Sequence, residues 1–105
     1  LKDPWYPMGN GNMLDPVEMG IHVGHLMGYN DILNSYQFVT TNAAKAMHIT
    51  DHYGIEVGKP ANCIIMNTDN FYNALNERSE VLYSIHRGKI LVETAPKRVT
   101  NHLKL

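Results

Sequence analysis

Glu18, His22 and His25 lie three and four positions apart in a stretch that reads as helical, so one helix face could carry all three. A carboxylate and two imidazoles so placed could ligate a metal. Zinc, however, needs three or four ligands in tetrahedral array, and Glu-x3-His-x2-His is not the spacing of a metalloprotease helix. We read them as an exposed polar stripe. His48, Asp51 and His52 form a second group; Thr50, Asp51 and Gly54 signal that the helix before them has ended, which favours a solvated turn. Cys63 sits in an apolar run with no base beside it, and is expected to be a buried structural thiol rather than a nucleophile. No Gly-x-Ser-x-Gly, no phosphate-binding glycine loop and no Cys-x-x-Cys occurs. Trp5, the single tryptophan, stands in DPWYPMGNGN between two prolines, where neither a helix nor a central strand can form. It either anchors an arm to a core or lines a site whose other walls lie elsewhere.

The elements that would position these residues begin with an irregular arm, residues 1–11. A helix follows, with Asp15 as N-cap, Pro16 at the first position and Glu18 reaching back; a start one turn earlier, near Asn12, is the alternative. Val17, Ile21 and Gly24 make its inner stripe, with Met13 before them and Leu14 and Met19 widening it. Gly20, Gly24 and Gly28 recur every fourth residue, a row that permits close backbone approach, and GYN at 28–30 closes the helix. DILNSYQFV, 31–39, reads as a second amphipathic helix with Ile32, Leu33, Tyr36 and Val39 inward. Thr40 or Thr41 caps a third, NAAKAMHI.

Beyond the turn at 51–54 the pattern changes. ANCIIMN, 61–67, reads as a buried strand, TDN as a turn or cap, and FYNALNERS as one or two helical turns. Val81 to His86 alternates, Arg87, Gly88 and Lys89 turn the chain, and Ile90 to Thr94 return it as a hairpin. Residues 95–105 carry Lys97, Arg98, His102 and Lys104 and read as an exposed tail or an arm on a neighbour. The six methionines scatter and read as core filler. Helices then a small sheet make an α+β chain whose two or three strands need cover from the helices or from further strands.

The totals narrow the function. At 105 residues the chain is long enough for one domain. A hydrophobic fraction of 44% with 18% charged residues describes a folded, soluble chain rather than a disordered one. The formal net charge of -1 gives no electrostatic reason to expect nucleic acid or an anionic membrane as partner. A lone cysteine forms no internal disulfide and suits a reducing, cytoplasmic setting. No apolar run approaches the roughly 20 residues of a membrane span. One cysteine also excludes the small zinc-dependent base deaminases, which need His-x-Glu with Pro-Cys-x-x-Cys.

Two stretches carry a resemblance. TTNAAKAMHITDHYGIEVGKPANCIIMN resembles the closing segment of the amidohydrolase superfamily: a helix, a glycine turn, a Gly-Lys pair and a strand opening Ala-Asp, here Ala61-Asn62. DPWYPMGNGNML followed by MGIHVGHLMGY is similar to the bacterial, barrel-type cytosine deaminases, which carry a like Asp-Pro-Trp-Tyr-Pro run after the eighth barrel strand and tend to have Asn at the position of Asn62. The similarity runs from Asp3 to about Thr94.

The resemblance implies a (β/α)8 barrel with an accessory β domain, its active site at the C-terminal ends of the strands. It implies a divalent metal, iron or zinc, whose bound water attacks the ring carbon bearing the amino group, so that cytosine and water give uracil and ammonia. On it, residues 1–58 correspond to the C-terminal end of the barrel, its post-strand-8 loop and helices, and residues 59–105 to the C-terminal part of the accessory β domain and tail. Trp5 matches a tryptophan that forms a wall of the pyrimidine pocket. No metal ligand or catalytic residue is assigned: the family's aspartate would fall just before Leu1, Asp3 matches the aspartate of the Asp-Pro-Trp run, and His22 matches a helix histidine away from the metal. The chain is therefore expected to be a C-terminal fragment of a homo-oligomeric enzyme of pyrimidine metabolism, inactive and metal-free alone, and its bare helix face to drive self-association or partial unfolding. The alternatives are a parent acting on another amino-substituted ring, a purine or pterin, and a stand-alone, non-catalytic interaction module.

Overall fold

The computed structural model describes residues 3–104; the first two positions of the arm and the last of the tail lie outside the described residues. Four helices and three strands follow in the order α1 (Leu14–Val23), α2 (Tyr29–Asn34), α3 (Thr41–Ala46), β1 (Cys63–Met66), α4 (Phe71–Asn76), β2 (Val81–His86) and β3 (Lys89–Glu93), with 3-10 turns at Ser35–Val39 and Thr50–His52. The α+β class expected from the sequence is what the chain adopts.

Helix α1 takes the earlier of its two expected starts. The Asn12 side-chain oxygen accepts the Leu14 amide at 3.0 Å, while Asp15 and Pro16 fall inside the first turn. Both suit that place: a carboxylate favours the positive end of the helix, and proline lacks an N–H that would have had no partner. The helix ends at Val23, earlier than the glycine row suggested. His25 takes a left-handed backbone, φ 56°, and the Leu26 amide reaches back to the Ile21 carbonyl at 2.8 Å. The same reversal closes α3, where His48 has φ 56° and Ile49 bonds to Ala44, and α4, where Arg78 has φ 51° and Ser79 bonds to Ala74. Glycine usually occupies this position, so three short helices end on side chains that tolerate it poorly. The glycine row seats no second element: a methyl group at Gly20 would meet no atom within 4 Å, one at Gly24 would press the Gly20 carbonyl of its own helix at 3.0 Å, and one at Gly28 the nearby Asp31 carboxylate at 3.0 Å.

The segment expected as one helix over 31–39 is split. Ser35, buried, turns its hydroxyl onto the Ile32 carbonyl at 2.7 Å, and the chain tightens into a 3-10 turn. Thr40 precedes α3, but its hydroxyl donates to the Tyr36 carbonyl behind it rather than capping the helix ahead. Ser and Thr side chains compete with the backbone in this way, and here they decide the boundaries.

Val17, Ile21, Ile32 and Leu75 form the core, with Leu14, Leu26, Val39, Phe71 and Tyr72 packed around it. Helix α4 is thus part of the helical layer although it lies between strands in sequence. Tyr29 of α2 meets Tyr72 at 5.1 Å and Tyr36 of the following 3-10 turn meets Phe71 edge-on at 5.8 Å, which locks both elements to α4. Arg78 adds an ion pair to Glu18 of α1 at 2.8 Å.

The sheet is antiparallel in the order β1-β2-β3. Its hairpin turns on Arg87 and Gly88, both with positive φ, between the facing residues His86 and Lys89. Register shifts between Ile85–Ile90 and Ser84–Val92, leaving Leu91 unopposed. The strand expected to be buried is not: Ile64 is 55% and Ile65 46% exposed, and every residue of β3 is exposed. Met8, Met13, Met19, Met27 and Met47, expected as core filler, are exposed as well. An apolar run marks a residue for burial without saying what buries it, and among the described residues the three strands pack chiefly on one another, with only β2 half-buried along its length.

The dimensions say the same. The radius of gyration is 16.0 Å, where a compact chain of this length has about 13 Å. The accessible surface is 8779 Å², about 2,800 Å² more than a compact monomer of this mass exposes.

Candidate functional site

The arm that carries Trp5 is irregular in hydrogen bonding yet closed on itself. One Asp3 carboxylate oxygen accepts the backbone amides of Trp5 at 2.8 Å and Tyr6 at 2.7 Å. The Asp3 amide in turn donates to the Tyr6 carbonyl at 3.1 Å. Pro4 fixes φ between them, so Asp-Pro-Trp-Tyr is a tight turn with its carboxylate folded inside. The indole of Trp5 stands outside it, 94% exposed. The anchoring role does not hold: Trp5 packs on no core of this chain.

Beyond the turn, Gly9 (φ 97°) and Gly11 (φ 84°) bend the arm back across the start of α1. A cavity of about 560 Å³ lies there, lined by Tyr6, Asn10, Met13, Asp15, Pro16 and Met19. Its walls are mostly apolar with an exposed carboxylate at the rim, a composition suited to a flat ring or a packed side chain. A second hollow of about 380 Å³ lies between the loop at Ile55–Val57 and the strand lead-in at Pro60–Cys63.

The other candidate groups do not assemble. The His22 ring donates from Nδ1 to the Glu18 carbonyl at 2.7 Å, while the Glu18 carboxylate is engaged with Arg78. His25 lies past the helix end in its left-handed conformation, off the face that carries His22. His48, Asp51 and His52 are exposed around the turn after α3. Cys63 is half-buried. Among the described residues no three His, Cys, Asp or Glu side chains converge on a point that could hold a metal ion, so these residues do not fit the metal that the resemblance implies.

Two polar residues hold the sheet end together, and sequence reasoning gave neither a structural role. The Asn62 side-chain oxygen accepts the Arg87 amide at 2.8 Å, and the Ala61 carbonyl accepts that of Gly88 at 3.0 Å, so the lead-in to β1 clamps the hairpin turn. Glu80 accepts the Lys97 amide at 2.9 Å and the Asn67 amide group at 3.2 Å. Its own backbone amide, Asn67 and Lys97, in that order, hold its carboxyl below the usual range. Asp69 is lowered chiefly by the Asn73 side chain one helical turn on. The signal for Asn62 was present, an asparagine where the resembled superfamily has aspartate, but which amide it would meet is a matter of tertiary register. No described helix is long and apolar enough to cross a membrane.

Known proteins share this arrangement. The chain superimposes on the crystal structure of 5-methylcytosine deaminase from Klebsiella pneumoniae liganded with 5-fluorocytosine, with a TM-score of 0.91 and 39% identity over 96% of its length. The same enzyme liganded with phosphonocytosine gives 0.89 and 39%. N-isopropylammelide isopropyl amidohydrolase of Pseudomonas sp. (strain ADP) is 29% identical over 93 residues, 89% of this chain. The chain spans about a quarter of the length of these proteins: 24% and 25% of the deaminase structures and 23% of the Pseudomonas enzyme. The model of the amidohydrolase family matches residues 2–92. The fold of this chain is thus shared with a deaminase, and, with the family model matching residues 2–92, the chain belongs to the amidohydrolase family.

Proposed function

We propose that this chain is the C-terminal segment of a metal-dependent deaminase acting on cytosine or 5-methylcytosine. The observation that carries the reading is the match to 5-methylcytosine deaminase, 39% identical over 96% of the chain at a TM-score of 0.91. In the intact parent, water replaces the ring amino group and ammonia leaves. Residues 1–58 complete the barrel and residues 59–105 the accessory β domain, with α4 joining them. The metal, iron or zinc, is held by residues outside this segment. The extent of exposed surface supports the reading: about 2,800 Å² of total accessible surface beyond that of a compact monomer is what a chain packed on a larger body would show. The parent is a cytoplasmic homo-oligomer on this reading.

Trp5 is the one substrate-binding residue assigned here. Its indole forms a wall of the pyrimidine pocket, where a flat aromatic ring packs a flat base and keeps water away. The exposure of the ring in this chain supports the role, since a side chain that packs on nothing within the chain is free to serve a neighbouring body.

The test is ammonia release by the intact parent on cytosine, 5-methylcytosine and a purine base, with the 105-residue chain as the inactive reference. Turnover of the two pyrimidines, and a raised KM in Trp5→Ala with kcat preserved, is the expected result. The resemblance to N-isopropylammelide isopropyl amidohydrolase favours a second reading, a parent acting on a different ring; indifference to both pyrimidines would select it. A coding sequence that starts at Leu1 would overturn both and leave a non-catalytic interaction module.

A further inference from the structure

We infer that Asp3 is a positioning residue for the Trp5 wall, an inference that rests on the proposed role of Trp5. Nothing in the side chain of Trp5 holds it: the ring is 94% exposed and meets no aromatic partner among the described residues. What is fixed is its backbone. The two amides that flank the Trp5 peptide plane, its own and that of Tyr6, both point at one Asp3 oxygen, at 2.8 and 2.7 Å. The Asp3 amide closes the ring onto the Tyr6 carbonyl at 3.1 Å. Pro4 fixes its own φ on the N-terminal side.

The direction of the Cα–Cβ bond of Trp5 is therefore set by a carboxylate that need never touch the base. Such a bond to an ionised acceptor is short and about twice as strong as a neutral one. Three consequences follow. Without Asp3 the turn opens, the indole samples many directions, and each binding event must first select one of them. Tyr6, on the same turn, lines the cavity against α1, so Asp3 also sets which side of the arm faces α1. Asparagine keeps the accepting oxygen and aspartate's length, so it can do the same work with a weaker bond; alanine cannot.

The experiment has two readouts. Trp5 is the chain's only tryptophan, so time-resolved fluorescence anisotropy of the 105-residue chain reports this indole alone. Asp3→Ala should transfer most of the slow, overall-tumbling amplitude into fast local motion, with Asp3→Asn close to the unmodified chain. In the intact parent, Asp3→Ala should raise KM about tenfold with kcat unchanged, the factor that about 1.4 kcal/mol carries. Asp3→Asn should recover most of that loss, and Asp3→Ala should add nothing in a Trp5→Ala background. Unchanged anisotropy in Asp3→Ala overturns the positioning role whatever Trp5 does. A lost slow component together with a KM indifferent to Trp5→Ala upholds the clamp and removes the pocket wall instead. A KM effect in Asp3→Ala that Asp3→Asn fails to recover, or that adds to Trp5→Ala, overturns the proposal in favour of a direct role for the carboxylate.

Discussion

Replacing His25 or His48 by glycine should make this chain more stable, although each change deletes a whole side chain. Both residues sit just past a helix end at φ 56°, where a Cβ crowds the following carbonyl and costs roughly 1–2 kcal/mol. Glycine removes that cost and returns part of it as extra freedom of the unfolded chain, about 0.5–1 kcal/mol. The net gain is about 0.5–1 kcal/mol per site, and the two sites lie at the ends of different helices, so the double variant should gain about 1–2 kcal/mol. Both side chains are exposed, so no packing is lost. Arg78, at φ 51°, is the internal comparison: it carries the same strain, but its guanidinium pairs with Glu18 at 2.8 Å. An exposed pair contributes up to about 1 kcal/mol, so Arg78→Gly should come out near zero. Alanine at 25 or 48 keeps the Cβ and should change nothing. Urea unfolding followed by far-UV circular dichroism measures this, with the slope expected to stay constant while the midpoint moves. Lower midpoints in His25→Gly and His48→Gly, or equal gains from alanine, would refute the argument that the Cβ at these helix ends is the source of strain.

Other consequences can be checked as directly. Asn62→Ala removes the acceptor for the Arg87 amide and should weaken the hairpin by about 1 kcal/mol, seen as faster amide exchange at Arg87 and Gly88 than in the helices. Because the Glu80 carboxyl titrates lower in the folded chain than unfolded, its tether contributes above the unfolded value near 4.5 and is lost as pH falls through the lower, folded one; the Lys97 amide should lose exchange protection in that acid range, and Glu80→Gln should lessen the pH dependence. Leu75→Ala, in a core that among the described residues has four buried large side chains, should cost about 2–5 kcal/mol and abolish cooperative unfolding, whereas Leu91→Ala on the exposed third strand should leave the midpoint within about 0.5 kcal/mol. The isolated chain should bind an apolar dye and sediment with a concentration-dependent mass; a sharp, high thermal transition with neither property would count against an uncovered surface.

What could be read in the sequence followed from patterns that a few neighbouring residues decide. The hairpin at 81–93, the cap at Asn70 and the buried pair Val17 and Ile21 are local in this sense, set by alternation, by an asparagine before a helix and by a four-residue spacing. Boundaries set by competition were not legible. Whether Thr40 caps forward or bonds backward, and whether His25 accepts a left-handed backbone, depends on what the rest of the chain rewards. Burial failed for a different reason. Ile64, Ile65 and five methionines are apolar yet exposed, and periodicity marks a residue as apolar without saying what, if anything, covers it. The site was half legible: Trp5 stood out as a costly residue in a loop, and Asp3 before Pro4 carries the local signal of a side-chain-closed turn, but that one oxygen takes both the Trp5 and the Tyr6 amide needed coordinates.

The unopposed residue in β3 has a consequence for the open edge of the sheet. Ile90, Leu91 and Val92 make an apolar run on an open sheet edge, the kind of ribbon on which further copies can stack without end into fibrils. Leu91 inserts one residue too many for its partner strand, which coils the ribbon and breaks the straight row of amides such stacking requires. Lys89 and Glu93 bracket the run with charge, and Pro96 bars its extension three residues on. An irregularity that weakens one hairpin thus works as a guard against ordered strand-on-strand polymerisation, a different event from the looser association of exposed apolar faces.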